Sequence, residues 1–416
     1  MKRLLLLIPT ATYRAGAFVD AARRLDANLT VASEEPSSLQ ELVPQDLMTL
    51  DFSDPDACAD DVERFARDER IDAVVGVDDQ VTVATATILK RLHLPHNPIA
   101  AVEATRDKHE MRRVLRNAGV PVPDFQLVPL DRDPREASEH VTYPCVLKPL
   151  NMSASRGVIR ANSPDEFIEA FQQIAGIVRG VDDSPASPAP TALNHLLVED
   201  YVQGWEVAVE GILTDGRLHV FTIFDKPDPM EGPYFAETIY VTPPRLARAV
   251  QKRIVAMTHR ATNALGLRHG PIHAELRGND TSLSFLEVAA RSIGGHCSKV
   301  LRFEHDESLE DVIIRHAMNP RRPMPELADP AASVMMIQAP FAGTFRGIDG
   351  IGAARDVPGI DDIVVSARPG QKLVPLPEGF LYVGFLFARG KSPEVAEATI
   401  REAFSKLTFE IERDVP

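Results

Sequence analysis

The chain is poor in cysteine and has no long hydrophobic run. It contains 3 cysteines in 416 residues, Cys58, Cys145 and Cys297, which are too few for a disulfide framework and favour a reducing compartment. The apolar run Leu4–Ile8 stops at Pro9 and is shorter than the hydrophobic core of a signal peptide. No segment approaches the ~18 apolar residues of a membrane span. These absences predict a cytoplasmic protein without a membrane partner.

An excess of basic residues is also absent. The chain has 45 Lys and Arg against 60 Asp and Glu, for a formal net charge of −15. A surface this acidic argues against nucleic acid as a partner, although it allows a local basic pocket for a phosphate. The 44% of hydrophobic and 25% of charged residues exclude wholesale disorder, a fibre and a coiled coil. At roughly 150 residues per domain, the length predicts two to four domains.

The first part of the chain alternates apolar strands with helices. Leu4–Ile8 and Ile71–Val77 are strands that are apolar on both faces, and Ala15–Leu25 is a helix between them. This alternation is typical of a parallel α/β layer, which we place at residues 1–97. Asp78 and Asp79 follow the second of these strands, where open α/β sheets often bind ligands. Two solvated turn residues are the alternative interpretation.

Capping residues, periodicity and composition predict the elements in the rest of the chain. Thr105 is predicted to cap a helix that Gly119 ends, and Arg245–Leu265 is predicted to be a long amphipathic helix. The composition of Ser184–Pro190 predicts a flexible surface loop. A proline-rich stretch at Asn319–Pro330 separates the central block from a tail of short β segments. No internal repeat is found.

Two lysines and a loop of small residues are candidates for binding phosphate. Lys108 lies in the first turn of a predicted helix and Lys148 at the end of a predicted strand. Either lysine alone is most often a solvated charge. Ser153, Ser155 and Gly157 belong to a loop between two β segments, whose amides and hydroxyls can surround phosphate oxygens. The loop matches no Walker pattern, so on its own it is a weak indication.

A strand and a short connector at Leu196–Glu206 offer a site for a purine. An extended connector leaves backbone N–H and C=O groups free to pair with a purine edge. Glu206 is then placed to accept hydrogen bonds from ribose hydroxyls. The alternative is a group of surface acids beside a hairpin.

Two glutamates predict a metal site. Ile272–Arg277 and Leu283–Val288 are predicted strands around a Gly-Asn-Asp turn, and in a suitable register Glu275 and Glu287 share one face. Two facing carboxylates repel unless a cation lies between them, and hard oxygen ligands suit Mg²⁺ or Mn²⁺ held together with phosphates. Arg291 follows on the chain, where a guanidinium can stabilise charge on a transferred phosphoryl group.

In this order, the segments resemble the ATP-grasp superfamily from Thr105 to Lys299. The motifs that carry the resemblance are RDK at 106–108, YPCVLKP at 143–149, SASRGV at 153–158, VEDYVQGWE at 198–206, GPIHAEL at 270–276 and FLEVAARSIGG at 285–295. The resemblance implies a fold of α/β and α+β type. Its domains would be a Rossmann-like layer at 1–97, a linker helix and small lid subdomain at 98–195, a large subdomain at 196–327 and a β-rich C-terminal domain at 328–416.

The resemblance also implies residue roles. ATP would be held by Lys108, Lys148, Ser153, Ser155, Gly157, Glu199, Asp200, Tyr201, Val202 and Glu206. The segment from Glu199 to Val202 would be the adenine hinge. Glu275 and Glu287 would hold Mg²⁺ or Mn²⁺, and Lys148 and Arg291 would act in catalysis. Many members carry an Asn as a further metal ligand, but Ala289 stands at that position here.

The run EVAARSIGG resembles bacterial L-amino-acid ligases in particular. That likeness implies a carboxylate–amine ligase that works through an acyl phosphate and releases ADP and phosphate, with a homodimer as the implied assembly. The substrates, a small carboxylate such as an amino acid and an amine, would be bound by Glu237, His273, Arg291, Gly294, Gly295, Asp78 and Asp79. His273 is the candidate base for the amine, or else a hydrogen-bonded strand histidine.

Three other functions stay open at this point. A biotin-carboxylase-like enzyme is one, although the chain has no Met-Lys-Met biotinyl motif and carries EVAAR in place of an EMNxR run. A purine-pathway ligase is the second. A nucleotide-binding regulatory module is the third, against which the two metal-binding acids and Arg291 argue.

Overall fold

The computed structural model describes residues 2–10, 12–35, 47–180, 193–328 and 331–413, so the predicted loop at Ser184–Pro190 lies outside the described residues. The first elements are β1 (Arg3–Leu7), α1 (Ala15–Arg24), β2 (Asn28–Ser33), β3 (Leu47–Thr49), α2 (Pro55–Asp68), β4 (Ala73–Gly76) and α3 (Thr82–Arg91). Their strands form a parallel sheet in the order β3-β2-β1-β4. The predicted α/β layer is therefore confirmed.

The side chains of β1 explain why this layer forms. Leu4 and Leu6 face the core that contains α1, while Leu5 and Leu7 face the core that contains α2 and α3. All four are fully buried, so the run has no polar face to leave in water.

Two helices and a second sheet follow. The elements are α4 (Ile99–Arg106), α5 (Lys108–Asn117), β5 (Phe125–Pro129), α6 (Pro134–Ser138), β6 (Cys145–Pro149), β7 (Ile159–Ala161), α7 (Pro164–Arg179) and β8 (His195–Asp200). The strands are antiparallel in the order β5-β8-β6-β7. The prediction that Thr105 caps the helix was wrong, because Thr105 lies inside α4. Asp107 caps α5 instead, and its carboxylate accepts from the amides of His109 at 2.9 Å and Glu110 at 3.0 Å.

The remaining elements build one large sheet and one small one. They are β9 (Trp205–Thr214), β10 (Arg217–Asp225), β11 (Ile239–Thr242), α8 (Arg248–Leu265), β12 (Gly270–Gly278), β13 (Leu283–Ala289), α9 (Leu309–Met318), β14 (Ala332–Ile337), β15 (Gly343–Asp349), α10 (Ile351–Arg355), β16 (Ile360–Val365), β17 (Lys372–Leu373), β18 (Gly384–Arg389), α11 (Pro393–Phe404) and β19 (Thr408–Arg413). The large sheet has the order β13-β12-β9-β10-β11-β14-β18-β16, and the small one β17-β15-β19. The predicted helix at Arg245–Leu265 begins three residues later, at Arg248.

The large sheet runs through the expected boundary at residue 328, because β14 pairs with β11 on one side and β18 on the other. Buried Arg14 links the N-terminal layer to the same block. Its guanidinium donates to the carbonyl of Val77 at 2.8 Å and to Oγ of Ser292 at 2.5 Å. These contacts hold the acids after β4 against the segment after β13.

Buried His316 on α9 predicts a loss of stability in acid. Its Nε2 lies 2.8 Å from Oγ1 of Thr214, and burial lowers its pKa to about 4. The neighbouring His269 lowers that pKa further, and Asp215 raises it. An unfolded histidine has a pKa of ~6.5. Between that pKa and the pKa of the folded state, the unfolded state binds a proton that the folded state does not bind. We expect this histidine alone to lower the free energy of unfolding by about 2 kcal/mol from pH ~6.5 to ~5.

The variant His316→Gln keeps a polar partner for Thr214 and does not titrate. Urea unfolding of both proteins across that pH range measures the effect, and the variant should lose less stability than the wild type. Equal losses would show that His316 is not the group that takes up the proton.

Candidate active site

Three cavities meet between the N-terminal layer, the four-stranded sheet and the large sheet. The inter-sheet cavity, of about 670 Å³, is lined by Lys148, Glu199, Tyr201, Val202 and Glu206 among others. The acidic cavity, of about 1,150 Å³, contains five carboxylates, Asp78, Asp79, Glu237, Glu275 and Glu287. The basic cavity, of about 1,300 Å³, contains four cations, Arg106, Lys108, Arg156 and Arg291. Ser153 and Glu287 border all three, so groups bound in the three cavities would meet there.

A buried carboxylate positions one of the two predicted phosphate-binding lysines. Nζ of Lys148 lies 2.6 Å from Oε2 of Glu199, and Nε of Arg112 lies 2.5 Å from Oε1. Burial alone would raise the pKa of Glu199, but Arg112 and Lys148 outweigh burial and lower it. Arg112 was not among the residues predicted from the sequence, and it lies on the buried face of α5 beside Met111 and Leu115.

The ammonium group of Lys226 contacts three carboxylates, and Lys226 was not among the predicted site residues either. Its Nζ lies 2.7 Å from Glu206, 2.9 Å from Glu275 and 3.0 Å from Glu237. The side chain is buried, and these acids raise its pKa well above the ordinary lysine value although burial works in the opposite direction. Lys226-Pro follows β10 just as Lys148-Pro ends β6, so the signal that selected Lys148 was present here too.

Glu206 is shared between two cations. Besides Lys226, it accepts from Nη1 of Arg277 at 3.3 Å. Arg277 also donates to the phenolic oxygen of Tyr201 at 2.8 Å. The hinge predicted for adenine and the acid predicted for ribose therefore line one cavity and are joined by one arginine.

The register of β12 and β13 places Glu275 directly opposite Glu287, as the alternation predicted. Glu287 lies 3.4 Å from Nζ of Lys108, while Glu275 contacts Lys226. Within the described ranges no group of three or more His, Cys, Asp or Glu could hold a metal ion. Two carboxylates still fit Mg²⁺ or Mn²⁺, because such ions commonly take one or two carboxylates and complete their shell with phosphate oxygens and water.

Two hydrogen bonds join the loop of small residues to the C-terminal part of the chain. The amide of Gly157 donates to the carbonyl of Pro377 at 2.9 Å, and Nε of Arg156 donates to the carbonyl of Glu378 at 2.9 Å. Lys108 donates from Nζ to the carbonyl of Met152 at 2.6 Å, just before the loop. The predicted phosphate loop thus has a fixed position above the inter-sheet cavity.

Gly157 has no room for a side chain. Its φ is +68°, and a Cβ would lie 2.7 Å from Cγ of Pro149. We expect Gly157→Ala to raise the KM for ATP by about tenfold, since a left-handed conformation costs an L-residue about 1–2 kcal/mol. The control Gly176→Ala lies inside α7, where a Cβ meets nothing within 4 Å, and it should leave that KM unchanged. Steady-state kinetics at varied ATP distinguish the two, and equal KM values would show that the loop does not contact the nucleotide.

Of the two aspartates after β4, Asp79 contacts the segment after β13 and Asp78 contacts the loop after β1. Oδ2 of Asp79 accepts from Nε of Arg291 at 3.0 Å and from Nη2 at 2.8 Å. Burial alone would lower the pKa of Arg291, but Asp79 raises it above the ordinary arginine value. Asp78 accepts from the hydroxyl of Thr12. These acids line the acidic cavity together with Gly294 and Gly295, so the cavity brings together four residues whose substrate-binding role stays a prediction.

His273 lies between two carboxylates. Its Nδ1 is 3.0 Å from Glu210, and its Nε2 is 3.7 Å from Glu275. Burial alone would lower the pKa of His273, but these acids raise it to about 9. A histidine that is protonated at neutral pH has no lone pair for an amine proton, so the geometry favours the hydrogen-bonded strand histidine over the base.

Glu237 faces the acidic cavity but is already paired. Besides Lys226, it accepts from the phenol of Tyr240 at 2.6 Å and from that of Tyr382 at 3.3 Å. Burial alone would raise the pKa of Glu237, and Lys226 and Tyr240 together hold it at about 2. A substrate ammonium would share this carboxylate with the cation already present.

Known families match along most of the chain. Family models match the ATP-grasp N-terminal domain at residues 19–96, the ATP-grasp domain at 141–300 and the L-amino acid ligase C-terminal domain 2 at 335–412. Alanine–anticapsin ligase of Bacillus subtilis (strain 168) is 27% identical over 259 residues, 58% of this chain and 54% of that protein. An uncharacterized protein y4rH of Sinorhizobium fredii is 24% identical over 99% of this chain and 84% of its own length. The crystal structure of an L-amino acid ligase from Bacillus licheniformis superposes with a TM-score of 0.78 at 24% identity, covering 99% of both chains.

The chain therefore belongs to the ATP-grasp superfamily. Within it, residues 335–412 match the C-terminal domain 2 of the L-amino acid ligases. The match to the alanine–anticapsin ligase spans about half the length of that protein. ATP-grasp enzymes use ATP and a divalent metal ion. In the described part of the chain no helix is long and apolar enough to cross a membrane.

Proposed function

We propose that this protein joins the carboxylate of a small amino acid to an amine, with ATP converted to ADP and phosphate. The convergence of the three cavities at Ser153 and Glu287 carries this proposal. A ligase of this kind needs a nucleotide, an activated carboxylate and a nucleophile around one reacting centre. Cavities of different charge that share two residues meet that requirement.

The inter-sheet cavity is proposed to hold ATP. Its hinge consists of Glu199, Asp200, Tyr201 and Val202, with Glu206 facing the ribose. Lys108 and Lys148 neutralise the phosphates, and Ser153, Ser155 and Gly157 close over them. Because Glu199 already orients Lys148, this lysine needs little reorganisation to meet the charge that develops in the transition state.

The metal is proposed to be held by Glu275 and Glu287. Mg²⁺ or Mn²⁺ would neutralise phosphate charge when bound there. Ala289 offers no side-chain ligand, which leaves that position to water or phosphate. In this arrangement Lys108 and Lys226 hold the two carboxylates until the metal and the nucleotide arrive.

The chemistry proceeds in two displacements. A carboxylate oxygen of the donor attacks the γ-phosphorus, the bond from that phosphorus to the bridging oxygen of ADP breaks, and an acyl phosphate forms. The amine nitrogen then attacks the acyl carbon, and the C–O bond to phosphate breaks with its electron pair leaving on phosphate. The departing phosphate takes the amine proton. Arg291, with Gly294 and Gly295 beside it, faces the phosphoryl group and the carboxylate.

The donor's ammonium is proposed to lie in the acidic cavity against Glu237, with Asp78 and Asp79 contributing charge. We expect Glu237→Gln to raise the KM for the donor amino acid by about tenfold, because a charge-assisted hydrogen bond becomes a neutral one. The KM for ATP should stay the same. Tyr382→Phe serves as the matched control, since it removes a neighbour of Glu237 without changing the charge. An unchanged donor KM in Glu237→Gln would refute the assignment.

The function is tested by phosphate release from Mg-ATP across single amino acids and pairs of them. Amino-acid-dependent release together with a dipeptide mass in the products is the expected result. Turnover only with bicarbonate and biotin, or only with a purine-pathway amine, would replace the proposal with one of those alternatives. Size-exclusion chromatography with light scattering on the same preparation tests the homodimer that the resemblance implies.

A further inference from the structure

A fourth cavity, of about 820 Å³, lies between the N-terminal layer and the block that follows it. This edge cavity is lined by residues of β4 and α3 from the layer, and by residues of α9 and the start of β12 from the block. None of its lining residues borders the inter-sheet, acidic or basic cavity. The sites proposed for ATP, metal and substrates therefore do not account for it.

The edge cavity exists because the parallel sheet ends at β4. This strand pairs with β1 on one side, and no other described strand pairs with it. All five residues from 72 to 76 line the cavity. Successive side chains of a strand point to opposite faces, so a cavity that touches every residue lies along the free edge of the strand.

The interior of the edge cavity is apolar and nearly uncharged. Its larger apolar side chains include Val74, Val75, Leu89, Leu94, Val102 and Ile313. The described residues that line it include no Lys or Arg, and the one carboxylate, Asp72, already accepts from the amide of Arg3 at 2.9 Å and pairs with Arg70 at 3.1 Å. Burial lowers the pKa of His269 and of His316, so both are neutral at neutral pH. The space therefore favours an uncharged ligand with an apolar body.

His269, which borders the edge cavity, has an acceptor that no described residue satisfies. Its Nδ1 is buried and has no hydrogen-bond partner among the described residues. Its Nε2 lies 3.5 Å from Oδ1 of Asp215, and because a carboxylate only accepts, the ring proton belongs on Nε2 and the lone pair on Nδ1. The neighbouring Asn97 uses its amide on the backbone of His269, at 2.8 and 2.9 Å. A buried acceptor without a partner is costly, so a ligand that brings an N–H or O–H donor is favoured.

We propose that the edge cavity is a second ligand site, which takes a small uncharged ring compound whose N–H or O–H donates to Nδ1 of His269. Apolar walls with one oriented polar group are the usual composition of a small-molecule site. The walls continue into the active site, because Ala290 directly precedes Arg291 and Gly76 lies three positions before Asp79. A ligand bound here contacts the segments that carry the Asp79–Arg291 ion pair without occupying the sites for ATP, metal or substrates.

The test compares indole with 1-benzofuran, two uncharged rings of similar size that carry N–H and O at the same position. Equilibrium dialysis measures the Kd of each for the full chain in saturating Mg-ADP, which keeps the inter-sheet cavity filled. Indole should bind with a Kd about 3- to 10-fold lower than that of 1-benzofuran, the range that a neutral hydrogen bond supplies. His269→Phe keeps a ring of similar size but removes the acceptor, so the two probes should bind this variant with equal Kd.

His140→Phe is the matched control, because His140 is exposed and lines none of the four cavities. It should keep the wild-type preference for indole. Ala317→Phe adds a ring from α9 to the cavity and should abolish saturable binding of both probes. If Ala317→Phe does not fold, the comparison of His269→Phe with His140→Phe still decides.

Three results would overturn this inference. They are no saturable binding of either probe to the wild type, equal Kd values for the two probes in the wild type, and an indole preference that survives in His269→Phe. The binding measurements need no turnover, so a failure of amino-acid-dependent phosphate release would bear on the proposed function alone.

Discussion

Replacing Lys226 by methionine is expected to lower the free energy of unfolding by about 3–5 kcal/mol. The lysine is buried, and its Nζ contacts Glu206, Glu237 and Glu275 at 2.7–3.0 Å. Removing it leaves buried carboxylates without their shared cation, although Glu206 keeps Arg277 at 3.3 Å and Glu275 keeps His273 at 3.7 Å. Methionine fills a similar volume, so the loss reports the charge and not a cavity. Urea unfolding at neutral pH measures it.

Lys299→Met provides the control for this prediction. Lys299 makes one exposed ion pair with Asp362 at 2.8 Å, and removing such a pair costs at most about 1 kcal/mol. In Lys226→Met the pKa of the carboxylates rises above the unfolded value, so the folded state gains stability by protonation. The deficit should therefore shrink as the pH falls. A deficit no larger than that of Lys299→Met would mean that Lys226 does not compensate the acids.

Lys226 also explains how the carboxylates of the site can lie close together before ligands bind. Glu206, Glu237, Glu275 and Glu287 lie around the junction of the inter-sheet and acidic cavities, where unpaired carboxylates would repel each other. Lys226 contacts three of them and Lys108 faces the fourth, which reduces this repulsion. Two lysines do not cancel four carboxylates, and the remaining negative charge favours the entry of a divalent metal.

Features set by neighbouring residues could be predicted from the sequence. The fully apolar run at Leu4–Leu7 specified a strand buried on both faces, because no polar side chain marks an exposed side. The pairing of Glu275 with Glu287 followed from alternation around one short turn, even though the pair has an irregularity just after Glu275. The end of α8 at Leu265 could be predicted because a glycine follows it, and Gly266 has a φ of +85° in the structure.

Contacts between distant segments could not be predicted in this way. Arg112 and Glu199 are separated by 87 positions, and Arg14 and Ser292 by 278. Each of these residues is by itself an ordinary polar residue, and only the packing of the layers makes it a partner. The wrong choice of Thr105 over Asp107 has a local cause, since both residue types cap helices well and α4 ends directly before Asp107.

Glu287→Gln is expected to lower kcat by at least about 100-fold and to weaken binding of the divalent metal by a similar factor. The amide keeps the size of the side chain but loses the charge that a hard cation requires. Burial alone would raise the pKa of Glu287, but Lys108, Lys148 and Arg112 lower it, so the wild-type group is ionised at neutral pH. Titration of the ADP-bound enzyme with Mn²⁺, followed by electron paramagnetic resonance, measures binding apart from turnover.

Glu110→Gln is the matched control for this change. Glu110 pairs on the surface of α5 with Arg113 at 2.6 Å and lines none of the three cavities, so its loss should leave metal binding and kcat unchanged. Glu275→Gln should weaken Mn²⁺ binding as Glu287→Gln does, because the two residues face each other across β12 and β13. If both variants bind Mn²⁺ with wild-type affinity, neither glutamate is a metal ligand. If only Glu287→Gln loses affinity, Glu287 is the ligand and Glu275 is only a partner of Lys226.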